Sequence, residues 1–324
     1  MNTSLDLIQA GFNYSPSAQY LFNRAYAVSL APPGQVSALQ YGTIGKDPAP
    51  LRVKFEIEKT MFGASPNHSK IEIYGLSVAS RQSIKKGYLV NLQAGYNNLL
   101  GTIFTGNVFF AKSDRNGPDI ITSLECLDGG SSIVFARLDK SYPAGTTLIQ
   151  ILGDVAAAMS VTTNYQPDPV NAGIALGIPN VVYNNGFVCT GPCKDSLNKL
   201  LINQNLEWTI QDGNLNIIHK GNYDGNTAVV ISSLTGMIGV PSQNQFYTQF
   251  TSLLNPKLVP GALVQLISEN DSLDGFYKIR KAKYEGDSHD NKWQVMCECT
   301  PMPNGSVQTL SASQGFNYNS AVIT

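Results

Sequence analysis

Residues 51–59, LRVKFEIEK, alternate strictly, with Leu51, Val53, Phe55 and Ile57 set against Arg52, Lys54, Glu56 and Glu58. A period of two predicts a strand with one buried face. SKIEIYGLS at 69–77 repeats the alternation across the turn-forming GASPNHS, so the two runs predict an antiparallel β unit. Runs of strand length follow in KGYLVNLQAGY, GTIFTGNVFFAKSD and IITSLECLDGG, the last two separated by the turn RNGPD. From about residue 143 the texture changes. AGTTLIQILGDVAAAM places Leu148, Ile151, Leu152 and Val155 at helical spacing, and CKDSLNKLLINQ places Leu197, Leu200 and Leu201 on one face of a second helix. LEWTIQDGNLNIIHKG then reads as a hairpin, with Trp208 and Ile210 alternating before DGN and Leu215 and Ile217 after it. Strand patterns return in QFYTQFTSLL, GALVQLISEN, GFYKIRKAKYEGD and KWQVMCECTP.

One phrase occurs twice: GYLVNL at 87–92 and GALVQL at 261–266. At an offset of 174 residues, Gly87, Leu89, Val90, Leu92, Leu99 and Gly101 meet Gly261, Leu263, Val264, Leu266, Leu273 and Gly275, six identities in fifteen positions. Alternation alone makes any two antiparallel strands alike. The two glycines fourteen residues apart add more, predicting a matched strand start and a matched turn end in a duplicated unit. Further on, Val108 and Phe110 fall over Ala282 and Tyr284, and Cys126 meets Cys299 after a slip of one residue. A chain of 324 residues has room for two or three domains.

The expected fold is therefore mainly β: two similar antiparallel β-barrel domains plus a smaller α+β domain. The divisions are an arm at 1–50 with one strand in YAVSLA, a first barrel at 51–142, the α+β insert at 143–225, a second barrel at 226–303, and a polar tail at 304–324.

Composition narrows the function. Charged residues are 14% of the chain against about a quarter in ordinary globular domains, which suits β surfaces that meet other protein. A formal charge of −1 leaves no general basic field for nucleic acid or an anionic membrane. The N-terminus MNTSLDLIQAGFNYSPSAQ has neither the basic start nor the apolar run of a secretory leader, so the five cysteines are expected as reduced thiols. No run approaches the roughly 18 apolar residues of a membrane helix, and a soluble protein is expected.

Candidate chemistry is sparse. His68, His219 and His289 lie in or beside turns without a nucleophile elbow. EGDSHDN at 285–291 lacks the ligand register of a calcium loop, and CTGPC at 189–193 and CEC at 297–299 lack zinc-site spacing. LDGGSS at 127–132 lacks the lysine of a phosphate loop. No catalytic, cofactor or metal site is expected. The densest basic sets are Lys85 with Lys86 and the run YKIRKAKY. Alternation there predicts Lys278, Arg280, Ala282 and Tyr284 on one face, with Ile279, Lys281 and Lys283 on the other. Such a strand is solvated, contacts another subunit, or lines a lumen through which nucleic acid slides under weak attraction.

The runs LRVKFEIEKTMFGASPNHSKIEIYGLS, NLQAGY, IFTGNVFFAKSDRNGPDIITSLECLDGG, TGMIGVPSQ and TSLLNPKLVPGALVQL, in this order, resemble the hub proteins of contractile phage tails, the late control protein D and central hub group. The likeness spans about residues 25–300 and fits the insert least specifically. It implies a homotrimer with two tube domains per chain, six in all. Such a pseudo-sixfold ring would join a sixfold tail tube above to a threefold central spike below, with baseplate wedge proteins as further neighbours. DNA would pass through without specific binding, no membrane would be involved, and the chain would assemble in the host cytoplasm and end in the virion baseplate. The physical logic is independent of the family: a threefold body matches a sixfold one if each chain supplies two equivalent surfaces, and edges paired across subunits satisfy backbone groups that a lone edge leaves open. Two alternatives compete. A tail-associated peptidoglycan hydrolase needs two convergent carboxylates in a cleft. A carbohydrate- or receptor-binding β module, favoured by the 15 tyrosines, needs aromatics on one concave face.

Overall fold

The computed structural model describes residues 23–302 apart from 36–37, 44–49, 62, 64, 98, 165–177, 180, 222 and 269–270. Most of the arm expected at 1–50 and the tail at 304–324 lie outside the described residues; the strand expected in YAVSLA is β1, Arg24–Ala31.

Among the described residues thirteen strands form one sheet. From one end run β16 (Met237–Gln243), β17 (Thr248–Leu253), β20 (Trp293–Pro301) and β19 (Gly275–Asp287). The order continues through β3 (Val53–Thr60), β4 (Asn67–Tyr74), β7 (Asp119–Asp128), β6 (Leu99–Asn116), β5 (Leu89–Tyr96), β1 and β2 (Leu39–Gly42). Off this path, β18 (Ala262–Leu266) pairs with β19 and with β15 (Asp224–Ile231). β3 buries Val53, Phe55 and Ile57 and turns Lys54 and Glu56 outward, as its alternation dictates.

Two halves of the sheet share a strand order. The first runs β1, β5, β6, β7, β4, β3; the second runs β15, β18, β19, β20, β17, β16. One pairing differs, since β1 is antiparallel to β5 and β15 is parallel to β18. Local geometry repeats as well. Gly87 (φ 91°) and Gly261 (φ 95°) each donate a backbone hydrogen bond of 2.8 Å, to Val108 and to Ile279. Val108 faces Cys126 and Ile279 faces Cys299, and an irregularity of one extra residue follows each, at Phe109 and at Arg280.

The register corrects part of the sequence alignment. Leu92 is twelve residues from its partner Phe104, whereas Leu266 is nine from Gly275. The stretch between these matched pairs is thus three residues shorter in the second half, where the ladder stops at Leu266 instead of continuing to a tight hairpin, and the position matching Gly275 is Phe104. Gly101 lies inside β6 opposite Ala94, and Leu273 lies in a 3-10 turn outside the ladder. Val108 matches Ile279, not Ala282.

The two expected barrels are not closed among the described residues. A closed first barrel would need the outer edge of β3 to return to β1 or β2. That edge instead pairs with β19 over Lys281–Asp287, and the two halves become one sheet. One apolar cluster accordingly draws on both halves, with Phe55 against Trp293 edge to face at 5.3 Å and Tyr284 donating to the Leu258 carbonyl at 2.8 Å.

Between the halves lies a second apolar cluster, drawn from residues 133–217. After the short helices α1 (Val78–Ser83) and α2 (Gly130–Phe135), α3 spans Leu148–Met159, starts at a Thr147–Gln150 capping box, and buries Leu148, Ile151, Leu152 and Val155. α4, Cys193–Leu201, buries Leu197, Leu200 and Leu201 against it. The short strands β8 (Lys140–Tyr142), β9 (Thr146–Thr147), β10 (Thr162–Asn164), β11 (Val182–Tyr183) and β12 (Phe187–Cys189) lie in the same region. β13 (Leu206–Gln211) and β14 (Asn214–His219) form the expected hairpin, with Asp212 (φ 54°) and Gly213 (φ 79°) in its two-residue turn.

Candidate assembly surface

The outward face of the sheet at the junction of the halves carries most of its charge in pairs. Lys281 bonds Glu58 at 2.9 Å, and Lys283 bonds Glu56 at 2.6 Å and Glu285 at 2.9 Å. Lys292 reaches Glu285 at 3.3 Å, and Lys70 bonds Glu72 at 2.7 Å. Hydrogen bonds donated to Glu56 and Glu285 hold the Lys283 ammonium above its usual range, and the one Glu285 accepts from Lys283 holds that carboxyl below its own. Each lysine stands among carboxylates, so the face is a mosaic of both signs.

The four basic residues singled out in YKIRKAKY divide differently from their alternation. The extra residue at Arg280 shifts the phase, so Tyr277, Ile279, Ala282 and Tyr284 share the buried side, and Lys278, Lys281 and Lys283 take the other. Ile279 therefore does not share a face with Lys281 and Lys283, and Lys278 does not share one with Ala282 and Tyr284. Lys278 is 1% exposed and meets Glu207 of β13 at 2.5 Å; Arg280 meets the other Glu207 oxygen at 2.6 Å. One insert carboxylate thus takes both cations before and at the bulge.

A second tie fastens the insert hairpin to the sheet. Lys59 has no exposed side-chain surface and donates to both Asp212 oxygens, at 2.9 and 2.7 Å. Asp212 also accepts from the Thr105 backbone at 2.8 Å. Asp128, at the end of β7, accepts from the backbone of Asp212 at 2.6 Å and of Gly213 at 3.0 Å. Asn67 donates to Asp128, to the Ile210 carbonyl and to Gln211. Burial and the neighbouring Asp212 carboxylate push Asp128 up to about 6, against the pull of Lys59 and the two backbone donors. The strand and turn patterns of the sequence do not mark Lys59, Asn67, Asp128 and Asp212 as partners. A signal was present: Lys59 continues the inward phase of Val53, Phe55 and Ile57, and a lysine there needs a buried anion.

Apart from Leu266 at the end of β18, the repeat markers sit in or just before the first half of their strands, with Gly101 inside β6. Val90, Leu92, Val264 and Leu266 are buried in the common core. Leu89 is 45% exposed and Leu263 2%, so the same outward position is open in the first half and covered in the second. Lys86 lies 4.9 Å from the Phe109 ring.

The groups weighed for catalysis or metal are engaged elsewhere or separated. Asp287 forms a two-oxygen pair with Arg52, and His289 bonds Ser288 in the exposed turn. All five cysteines are free and buried; burial pushes the Cys126 thiol up to about 12 and Cys297 further. Among the described residues no three His, Cys, Asp or Glu side chains cluster as metal ligands, and no helix is long and apolar enough to cross a membrane.

The fold has solved counterparts. A tail protein from Neisseria meningitidis MC58 is 12% identical, with a TM-score of 0.56 over 86% of this chain and 96% of that one. The 43 kDa tail protein of prophage MuSo2 from Shewanella oneidensis is 12% identical, with a TM-score of 0.55 over 86% and 98%. An E. coli component of the type VI secretion system, described as structurally similar to bacteriophage T4 tail proteins, is 11% identical, with a TM-score of 0.54 over 85% and 76%. At these identities the likeness establishes fold alone. Comparison with curated protein sequences finds no match. The family model for the baseplate hub gp41 matches residues 40–299, most of the chain and both halves of its sheet, so this protein belongs to the baseplate hub gp41 family of phage tails.

Proposed function

We propose that the chain acts as the trimeric hub of a contractile phage-type tail, its two β halves giving three copies six near-equivalent positions around one axis. The ring so formed would take the sixfold tail tube on one side and the threefold spike on the other, with wedge proteins at its periphery. The observation that carries this reading is the shared strand order of the two halves, reinforced by the matched hydrogen bonds of Gly87 and Gly261. A duplicated unit is what a threefold body needs to meet a sixfold one.

In this reading the mosaic around Lys281 and Lys283 faces the lumen. Its lysines are each paired with carboxylates, which suits a passage that lets DNA slide without gripping it. The chain works by geometry, without a catalytic site of its own, in the virion baseplate after assembly in host cytoplasm. The test is the mass of the purified chain, alone and with its tube and spike neighbours, together with particle symmetry by electron microscopy. A threefold particle with six similar outer lobes is expected; a monomer in every mixture overturns the proposal. Lysis of cell-wall material by the purified chain would overturn its non-enzymatic part.

A further inference from the structure

The joint between the two halves inside one chain is a template for the joint between chains. β19 has two neighbours along one edge: β18 over Gly275–Lys278 and, beyond the extra residue Arg280, β3 over Lys281–Asp287. β6 is its counterpart, with the extra residue at Phe109. On the matching edge β5 pairs with β6 over Leu99–Asn107, and beyond that point no described strand occupies the edge. The counterpart of β3 in the second half is β16. It pairs with β17 as β3 pairs with β4, and its other edge has no partner among the described residues. One chain thus presents both members of the same joint, unmated.

We propose that the free edge of β16 in one copy pairs antiparallel with the outer half of β6 in the next copy, repeating the β3–β19 joint around the ring. This rests on the trimeric reading above and assigns the surfaces that meet. The side chains agree. Phe109 and Phe110 on β6 are 52% and 49% exposed, and Ile238 and Val240 on β16 are 42% and 57% exposed. Leu234 and Phe246, flanking β16, are 73% and 78% exposed, so apolar groups crowd both vacant edges. The β16 sequence MIGVPSQ brings no charge against Lys112, Asp114 and Arg115 of β6. Pro241 lacks an N–H and the ladder to β17 is irregular between Ile238 and Ser242, which confines new pairing to short stretches on either side. A joint of β16 to β6 uses different surfaces on the two copies, and such head-to-tail contacts close into rings.

The internal joint also gives the register. Glu285 faces Glu56 and Tyr284 faces Ile57. Carried over through the matched ladders, Asp114 of one copy faces Ser242 of the next, and Ser113 faces Gln243. Opposed residues in such a ladder have Cβ atoms about 5 Å apart, within reach of a disulfide.

The full chain carrying Asp114→Cys is mixed, under mild oxidation and in the presence of its tube and spike neighbours, with the full chain carrying Ser242→Cys. The native cysteines are buried. Expected is a covalent dimer from the mixture, none from either variant alone, and a covalent trimer from the doubly substituted chain. Separately, Val240→Glu should raise the concentration for half-assembly by about tenfold or more while leaving the melting temperature of the monomer unchanged. Trimers of normal mass that give no cross-link, or that tolerate Val240→Glu, overturn this edge assignment and leave the trimeric reading standing. A chain that stays monomeric in all mixtures overturns both.

Discussion

Lys59 and Asp128 show how single residues hold the insert to the sheet. A lysine with no exposed surface is tolerable only because Asp212 meets it through two hydrogen bonds. Lys59→Met should cost about 2–4 kcal/mol, since Asp212 keeps some solvent contact, and adding Asp212→Asn should recover part of that loss. Denaturant melts of the two single variants and the double variant check the coupling, and strictly additive losses would refute it. Asp128 titrates near 6 in the fold and near 4 in an unfolded chain. Its raised value means that its contribution is complete below about pH 4 and is lost as pH rises through about 6, on the order of 3 kcal/mol. Asp154 and Glu285, held low by Lys140 and Lys283, run the other way and lose their contribution in acid. The stability advantage of the wild-type chain over Asp128→Asn should therefore shrink between pH 4 and pH 7, and parallel melting curves would contradict the buried titration.

At the scale of elements, the repeat lies in hydrogen bonds more than in letters. Gly87 and Gly261 open equivalent strands in a left-handed backbone conformation that side chains disfavour. Gly87→Ala and Gly261→Ala should each cost about 1–3 kcal/mol in chemical denaturation. Near-equal losses are expected, and a neutral result at either position would separate the two strand starts. Leu99 with Leu273 and Gly101 with Gly275 agree in sequence but not in register, because the chain between the matched pairs is three residues shorter in the second half and leaves the ladder at Leu266. The phase of YKIRKAKY was hidden for a related reason. An extra residue in a strand leaves no mark in the letters, yet it turns every later side chain to the other face.

For the whole molecule, edge pairing is the organising fact. β3 joins β19 inside the chain, and the edges of β6 and β16 that have no partner among the described residues are those proposed to continue the pattern between copies. In the ring reading, reversing Lys281 and Lys283 to glutamate would turn a balanced lumen face acidic. The folded chain should lose little, at most about 1 kcal/mol per exposed pair, whereas DNA delivery by assembled particles should slow. Unchanged assembly and unchanged delivery would remove this face from the lumen.

The sequence by itself determined the mainly β class, the two helices and the hairpin of the insert, the burial phase of β3 and the family resemblance. Each of these is written locally, in a period of two, a period of 3.6, a turn dipeptide or an ordered set of phrases. Only the tertiary structure decided that the halves share one sheet, that Lys59 and Lys278 are buried against insert carboxylates, and where β19 changes phase. Those outcomes depend on which edge meets which across more than a hundred residues of chain, and the Lys59–Asp212 tie alone spans 153. Pairing between distant edges is set by backbone groups that every residue carries alike, so the letters cannot name the partner.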